Sequence, residues 1–214
     1  MLGKNGDYIN IIIRPKMESD FSAMVSSIRI ITAPFEDAYN FHFGGQPYIA
    51  GKVPGLILKD TQKLMLMGLI IMSFVLLVNL RSLSAVGMIL LVIIMSMLSM
   101  LGFLGWIYHF TGSDRFVFTF INSSMPIVVL TIANSDGVHI LSRFFREART
   151  HQNVQHAITL TMNQLLLPIF LTSITTTAAF LTMLTSPITA MTGYGLSIGF
   201  GILWAWILSS TFLP

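Results

Sequence analysis

The sequence predicts an α-helical polytopic membrane bundle of about five transmembrane helices, preceded by a fragment of a small α+β extracytoplasmic domain, and three observations carry that prediction. Hydrophobic residues make up 54% of the 214 and charged residues only 10%, with a mean hydropathy of +0.76, a balance foreign to soluble domains. After residue 63 the chain becomes a series of apolar runs, each near the ~20 residues that cross a hydrocarbon core. Residues 1–60 have a different texture, mixing strand-like and helix-like patterns.

In that first region Tyr8 to Arg14 is β-branched and strand-like. Phe21, Met24, Val25, Ile28 and Ile31 recur at helical spacing, with Ser19 or Asp20 placed to cap the helix and Pro34 to stop it. Tyr39 to Phe43 alternates as a second strand and ends at Gly44-Gly45-Gln46-Pro47, a strong turn signal. Strand, helix, strand is a β-α-β unit too small to bury a core alone, so it belongs to a larger α+β domain. Val53 to Lys63 forms an amphipathic helical lead into the membrane.

Residues 61–214 form the transmembrane bundle, with spans at about 64–80, 84–108, 120–142, 165–184 and 190–213. Between the third and fourth spans, residues 143–164 place Phe144, Phe145, Val154, Ala157, Ile158 and Leu160 among arginines and histidines, the pattern of an amphipathic cytoplasmic helix lying in the interface. Pro126 and Pro168 are expected in the first turns of their helices, where proline costs little. Gly193, Gly195, Gly199 and Gly201 predict close helix packing in the last span.

Charge asymmetry orients the bundle. Arg81, Arg143, Arg146 and Arg149 lie in loops on one side, whereas the other side has Arg115 opposed by Asp114, so the arginine side is expected to be cytoplasmic and residues 1–60 extracytoplasmic. Lys59 and Lys63 argue the other way, but a large flanking domain is translocated largely regardless of charge. Met1 to Lys16 has neither a signal-peptide core nor a spanning helix, and the last span closes at Pro214 without a tail, so the chain is expected to be an internal piece of a larger protein.

Several function classes are disfavoured. A net charge of +3 with dispersed cations gives no footprint for a nucleic-acid partner. The absence of cysteine removes disulfides, thiolate metal sites and cysteine nucleophiles. His151 and His156 lack partners at metal-ligand spacing, the 14 methionines suit apolar packing, and neither a cofactor nor a metal is expected. No nucleophile, base and orienting group fall into an enzyme's arrangement.

Asp136 is the single carboxylate inside the long apolar runs, in Ile132-Ala133-Asn134-Ser135-Asp136-Gly137-Val138-His139-Ile140-Leu141. A charged group at the centre of a spanning helix costs roughly 2.5–3.5 kcal/mol, so it usually faces a partner, a cavity or a proton path; the bland alternative is a polar anchor for helix packing. His139, three residues on, shares a helical face with Asp136, close enough for the two groups to exchange a proton. Asn134 and Ser135, with Thr172, Thr175 and Thr176 of the next span, are candidates to line that path, though such hydroxyls more often bond their own helix. Ser173 and Thr177 belong to the same hydroxyl-rich stretch, which can line a hydrated path or hydrogen-bond the Asp136 helix.

In order and spacing, these residues resemble the resistance-nodulation-division (RND) superfamily of exporters, especially the branch of the mycobacterial large membrane proteins (MMPL) and the sterol-sensing-domain proteins. The resemblance covers nearly the whole chain. It rests on the strand-helix-strand ending in Gly44-Gly45-Gln46-Pro47, on Leu56 to Lys63 leading into a span, on the short Leu80-Arg81-Ser82 turn, and on Ser135 to Leu141 followed by Arg143-Phe144-Phe145-Arg146-Glu147. Leu171-Thr172-Ser173-Ile174-Thr175-Thr176 and the closing Phe212-Leu213-Pro214 extend it.

The resemblance implies that the third span here is the fourth helix of a half-transporter, that Asp136 matches the acid of a proton relay, and that residues 1–60 end an extracytoplasmic porter domain. The first helix and the second half would then lie outside this chain. Several members have two consecutive acids, or an acid followed by tyrosine, where this chain has Asp136-Gly137; His139 fits a variant of predicted exporters.

The implied activity is proton-motive-force-driven export, in the bacterial inner membrane, of lipids or other amphiphilic compounds. The implied partners are protons, membrane lipids, a hydrophobic or amphiphilic substrate, the remaining half of the transporter and, in some branches, further copies of the chain. Two alternatives share the bundle: a sterol-sensing-like lipid-binding scaffold, and an accessory subunit of protein translocation.

Overall fold

The computed structural model describes residues 9–16, 20–150 and 153–213, which divide into two compact units meeting between Lys59 and Asp60. Tyr8, Ser19, His151 and Pro214 lie outside the described residues.

The first unit corrects the α+β expectation. Helix α1, Phe21–Thr32, forms where the apolar spacing predicts it, and Asp20 caps it by accepting from the backbone N–H groups of Ser22 (2.8 Å) and Ala23 (3.3 Å). A short 3₁₀ turn, Ala33–Phe35, carries Pro34 and ends the helix. Neither predicted strand forms among the described residues: 10–14 and 39–43 are irregular, with one isolated bridge position at Ile9. The alternation at Tyr39–Phe43 serves aromatic stacking instead, with Phe41 on Phe43 and Phe43 on Tyr48 at centroid distances of 6.2 and 5.3 Å. Period-two spacing fixes which side chains share a side, but a strand also needs a neighbour to pair its backbone. Asp20→Ala removes the α1 cap and should cost about 1 kcal/mol of local stability, seen as faster amide exchange at Ser22 and Ala23.

Helix α2, Gln46–Leu80, starts straight after Gly45, whose φ of 104° suits glycine at the predicted turn. At 1.5 Å per residue its 35 residues extend roughly 52 Å, so the helical lead and the first span are one continuous helix longer than a bilayer core.

The second unit contains the bundle. Five helices are long and apolar enough to span a membrane, making this a multi-pass membrane protein: α2; α3, Leu83–Thr111; α4, Met125–Thr150; α5, Val154–Leu181; and α6, Thr189–Phe212. Ser82 caps α3 through the Ala85 N–H, and Gly112 in the left-handed conformation (φ 59°) ends it. A 3₁₀ turn, Phe120–Ser124, leads into α4; it holds the fully buried Asn122, whose amide donates to the Val117 carbonyl.

Residues 143–164 do not form a separate interfacial helix. α4 continues to Thr150, helped by the Arg143–Glu147 ion pair (2.8 Å) one turn apart, and α5 starts at Val154 with Asn153 as its cap. No proline or glycine interrupts the chain between Val138 and Thr150. The early start of α5 also corrects the position of Pro168, which lies inside that helix, whereas Pro126 is in the first turn of α4 as expected.

α6 is the central element and the most buried span, packed against α3, α4 and α5, while α2 is the least buried. Leu76 and Leu80 of α2 join Ile89 and Ile93 of α3, Ala133 and Ile140 of α4 and Leu208 of α6 in one apolar core. A second cluster joins Met100 and Leu104 to Met125, Val129, Ile198 and Ile202. Outside these cores the helices present large apolar side chains such as Leu98, Leu167 and Leu171, the surface that hydrocarbon requires.

Candidate functional site

Asp136 is buried at 6% exposure on the face of α4 that looks toward α5. Its neighbour Gly137 faces α3, where a β-carbon would come within 3.1 Å of Ile89 Cγ1. The glycine thus lets α4 approach α3 closely and fixes the rotation of α4 that turns Asp136 the other way.

A cavity of about 530 Å³ opens between α4 and α5. Thr131, Ser135, Asp136 and His139 line one wall, and Pro168, Thr172, Ser173 and Thr176 the other. Each wall is a ladder at four-residue spacing, 131/135/139 on α4 and 168/172/176 on α5, the register at which side chains stack along a helix. The space is large enough for several waters, with the hydroxyls and the Asp136 carboxyl group set among apolar side chains such as Ile132, Leu165 and Ile169.

Within this cavity the hydroxyls divide into two kinds. Thr131, Thr172 and Thr176 donate to their own helices, at the carbonyls of Ile127 (2.9 Å), Ile169 (2.8 Å) and Thr172 (2.7 Å). Ser173 and Asp136 are both buried, and the Ser173 hydroxyl is within side-chain hydrogen-bonding reach of the Asp136 carboxyl group, short of standard geometry. A carboxyl group buried beside a single hydroxyl is only partly compensated for its lost hydration, at a cost of about 1–3 kcal/mol.

The other residues singled out by sequence fall into place unevenly. His139 lines the cavity and is exposed, and no hydrogen bond joins it to Asp136 among the described residues, so helical spacing brought the two to one opening but not into contact. Ser135 also lines it. Asn134 and Thr175 do not: Asn134 Oδ1 is buried elsewhere on α4, and Thr175 bonds back to the carbonyls of Leu171 (2.8 Å) and Thr172 (3.0 Å).

Pro168 and Thr131 are residues whose place in the site the sequence reading missed, whereas Ser173 belongs to the hydroxyl stretch it named. The four-residue spacing of Thr131 with Ser135 and His139 was the available signal for the second. Pro168 has no N–H, so the carbonyl of Gln164 one turn back loses its helical partner beside the cavity.

No group of His, Cys, Asp or Glu among the described residues has the arrangement of a metal site. The arrangement can hold a carboxyl group, exchange a proton with cavity water and let the charge on Asp136 alter the fit of α4 against α5.

A search of curated proteins and a search of solved structures each returned no match. A family model, described as the MMPL family, matches residues 8–214. Members of that family are membrane transporters rather than enzymes, in keeping with the five apolar spans. With nearly its whole length matched, this chain belongs to the MMPL family.

Proposed function

We propose that the chain is part of a proton-motive-force-driven exporter of lipids or other amphiphilic compounds, and that Asp136 is its proton-carrying group. The observation that carries this reading is the buried Asp136 carboxyl group, which faces Ser173 and opens onto the cavity between α4 and α5. An ionised carboxylate there has little compensation beyond the Ser173 hydroxyl, whereas protonation removes the charge and lowers the cost of burial. Each proton that arrives or leaves therefore changes the energy of packing α4 against α5. A unit charge crossing the membrane is worth about 2.3 kcal/mol per 100 mV, enough to bias a two-state bundle roughly fiftyfold.

In this reading Ser173 donates to the ionised carboxylate and releases it on protonation, and His139 passes protons between cavity water and Asp136. Ser135, Thr172 and Thr176 hold the water. The loop arginines face the cytoplasm and residues 1–60 lie outside it, in the inner membrane, where the rest of the transporter would receive substrate.

Inverted membrane vesicles containing the full-length transporter test the reading. Efflux of a fluorescent amphiphile should follow an imposed proton gradient and collapse with a protonophore; transport indifferent to the protonophore would overturn it. His139→Gln should slow gradient-driven efflux by roughly tenfold, less than a full acid–base deletion because cavity water substitutes in part. An unchanged rate and pH profile in that variant would remove His139 from the path.

A further inference from the structure

A second cavity, of about 680 Å³, lies between the end of α2 and the end of α4, and it shares no lining residue with the Asp136 cavity. Its walls are Phe74, Val75, Val78 and Asn79 of α2, Arg81 of the following turn, and Arg149 in the last turn of α4. We propose that it is a binding site for an anionic phospholipid, whose phosphate sits against Arg81 and Arg149 while one acyl chain runs along α2.

Three observations support the proposal independently. The lining has two guanidinium groups and no carboxylate, and among the described residues neither arginine forms an ion pair; the neighbouring Arg143, by contrast, is paired with Glu147. Planar guanidinium groups match phosphate oxygens in fork geometry, and Asn79 adds an amide donor.

Arg81 also occupies the left-handed backbone region, at φ 51°, and is the one non-glycine residue to do so among those described. A glycine would make the tight turn between α2 and α3 without steric conflict, so arginine is held there against backbone preference, as happens where a side chain is needed at a site.

The third observation is the apolar side of the cavity. Phe74 and Val75 lie one turn before Val78 on the same face of α2, and all three are more than half exposed. From Phe74 to Arg81 the helix rises about 10 Å, so a molecule with its charge at Arg81 has an apolar wall leading from there into the hydrocarbon layer. A soluble anion would use the arginines and leave that wall bare; a phospholipid uses both. The proposal rests on the bundle being in a membrane and not on the proton-carrying role of Asp136.

The test is native mass spectrometry of the full-length protein in neutral detergent, titrated with dioleoyl phosphatidylglycerol or dioleoyl phosphatidylcholine. The anionic lipid should be retained in preference to the zwitterionic one. The double variant Arg81→Gln, Arg149→Gln should weaken its retention by about tenfold or more, while Arg115→Gln, at the opposite side of the bundle, leaves it unchanged. Val78→Trp should also weaken it with both arginines in place. Arg81→Gly relaxes the turn, so a variant that melts no lower than wild type yet loses the lipid separates binding from folding. Equal retention of both lipids, or undiminished retention in the double variant, overturns the proposal. Displacement of the bound lipid by inorganic phosphate alone would overturn it in favour of a soluble-anion site.

Discussion

Asp136→Asn should abolish gradient-driven transport while leaving the bundle folded. Asparagine has nearly the same shape as aspartic acid and stays neutral, so the packing of α4 against α5 is kept while the charge change is lost. Stability should move by about 1 kcal/mol, because asparagine keeps an oxygen that can accept from the Ser173 hydroxyl. Efflux from inverted vesicles should fall to the rate measured with a protonophore, at matched protein levels and matched thermal melting. Asp136→Glu keeps the titrating group and should retain partial activity, which separates loss of charge from loss of shape. Wild-type gradient dependence in the asparagine variant would end the relay reading and leave Asp136 as a packing anchor, with a lipid-binding scaffold as the better account of the bundle.

The second large effect concerns α6. At Gly195 an added β-carbon would fall on the Phe180 carbonyl oxygen of α5 and within 2.7 Å of Met183 Cβ, in the 3₁₀ turn that follows. Backbone cannot move aside as a flexible side chain does, so Gly195→Ala should destabilise the bundle by about 1–3 kcal/mol. The glycine thus serves close approach, the role expected for it from the sequence. Thr177 strengthens the same contact by donating to the Gly199 carbonyl across the two helices (3.3 Å). Gly102→Ala in α3 is the matched control: nothing lies within 4 Å of its added β-carbon, and alanine favours helix by up to ~1 kcal/mol. Thermal melting of purified protein should fall for the first variant and hold or rise for the second. A neutral Gly195→Ala would mean that α6 can shift away from α5 without penalty.

Much of the candidate site was legible because membrane burial makes polar residues conspicuous. Asp136 stood out by being the single carboxylate in the apolar runs, and His139 and Ser135 followed by helical spacing. Asn134 and Thr175 do not line the cavity, for one reason: nearness in sequence to a site residue does not put a side chain on the same face. Asn134 is two residues from Asp136 and so about 200° around the helix. Thr175 is likewise one step from Thr176, about 100° around the helix. The α+β reading of residues 1–60 failed in another way, since the alternation of Tyr39, Phe41 and Phe43 is real but carries rings that stack rather than a strand that pairs.

By itself the sequence determined the solvent, the approximate number of spans, the family resemblance and the acid at the centre, because hydropathy and periodicity are local properties that each helix carries alone. Only the tertiary structure decided which wall Asp136 faces, that Ser173 is the hydroxyl opposite it, and that Arg81 and Arg149 share a cavity. These depend on how each helix is rotated about its axis and which helix lies beside it. That is set by close contacts between residues distant in sequence, such as Gly137 on Ile89 and Gly195 on Phe180. A helix's pattern names its polar face; packing alone chooses what that face meets.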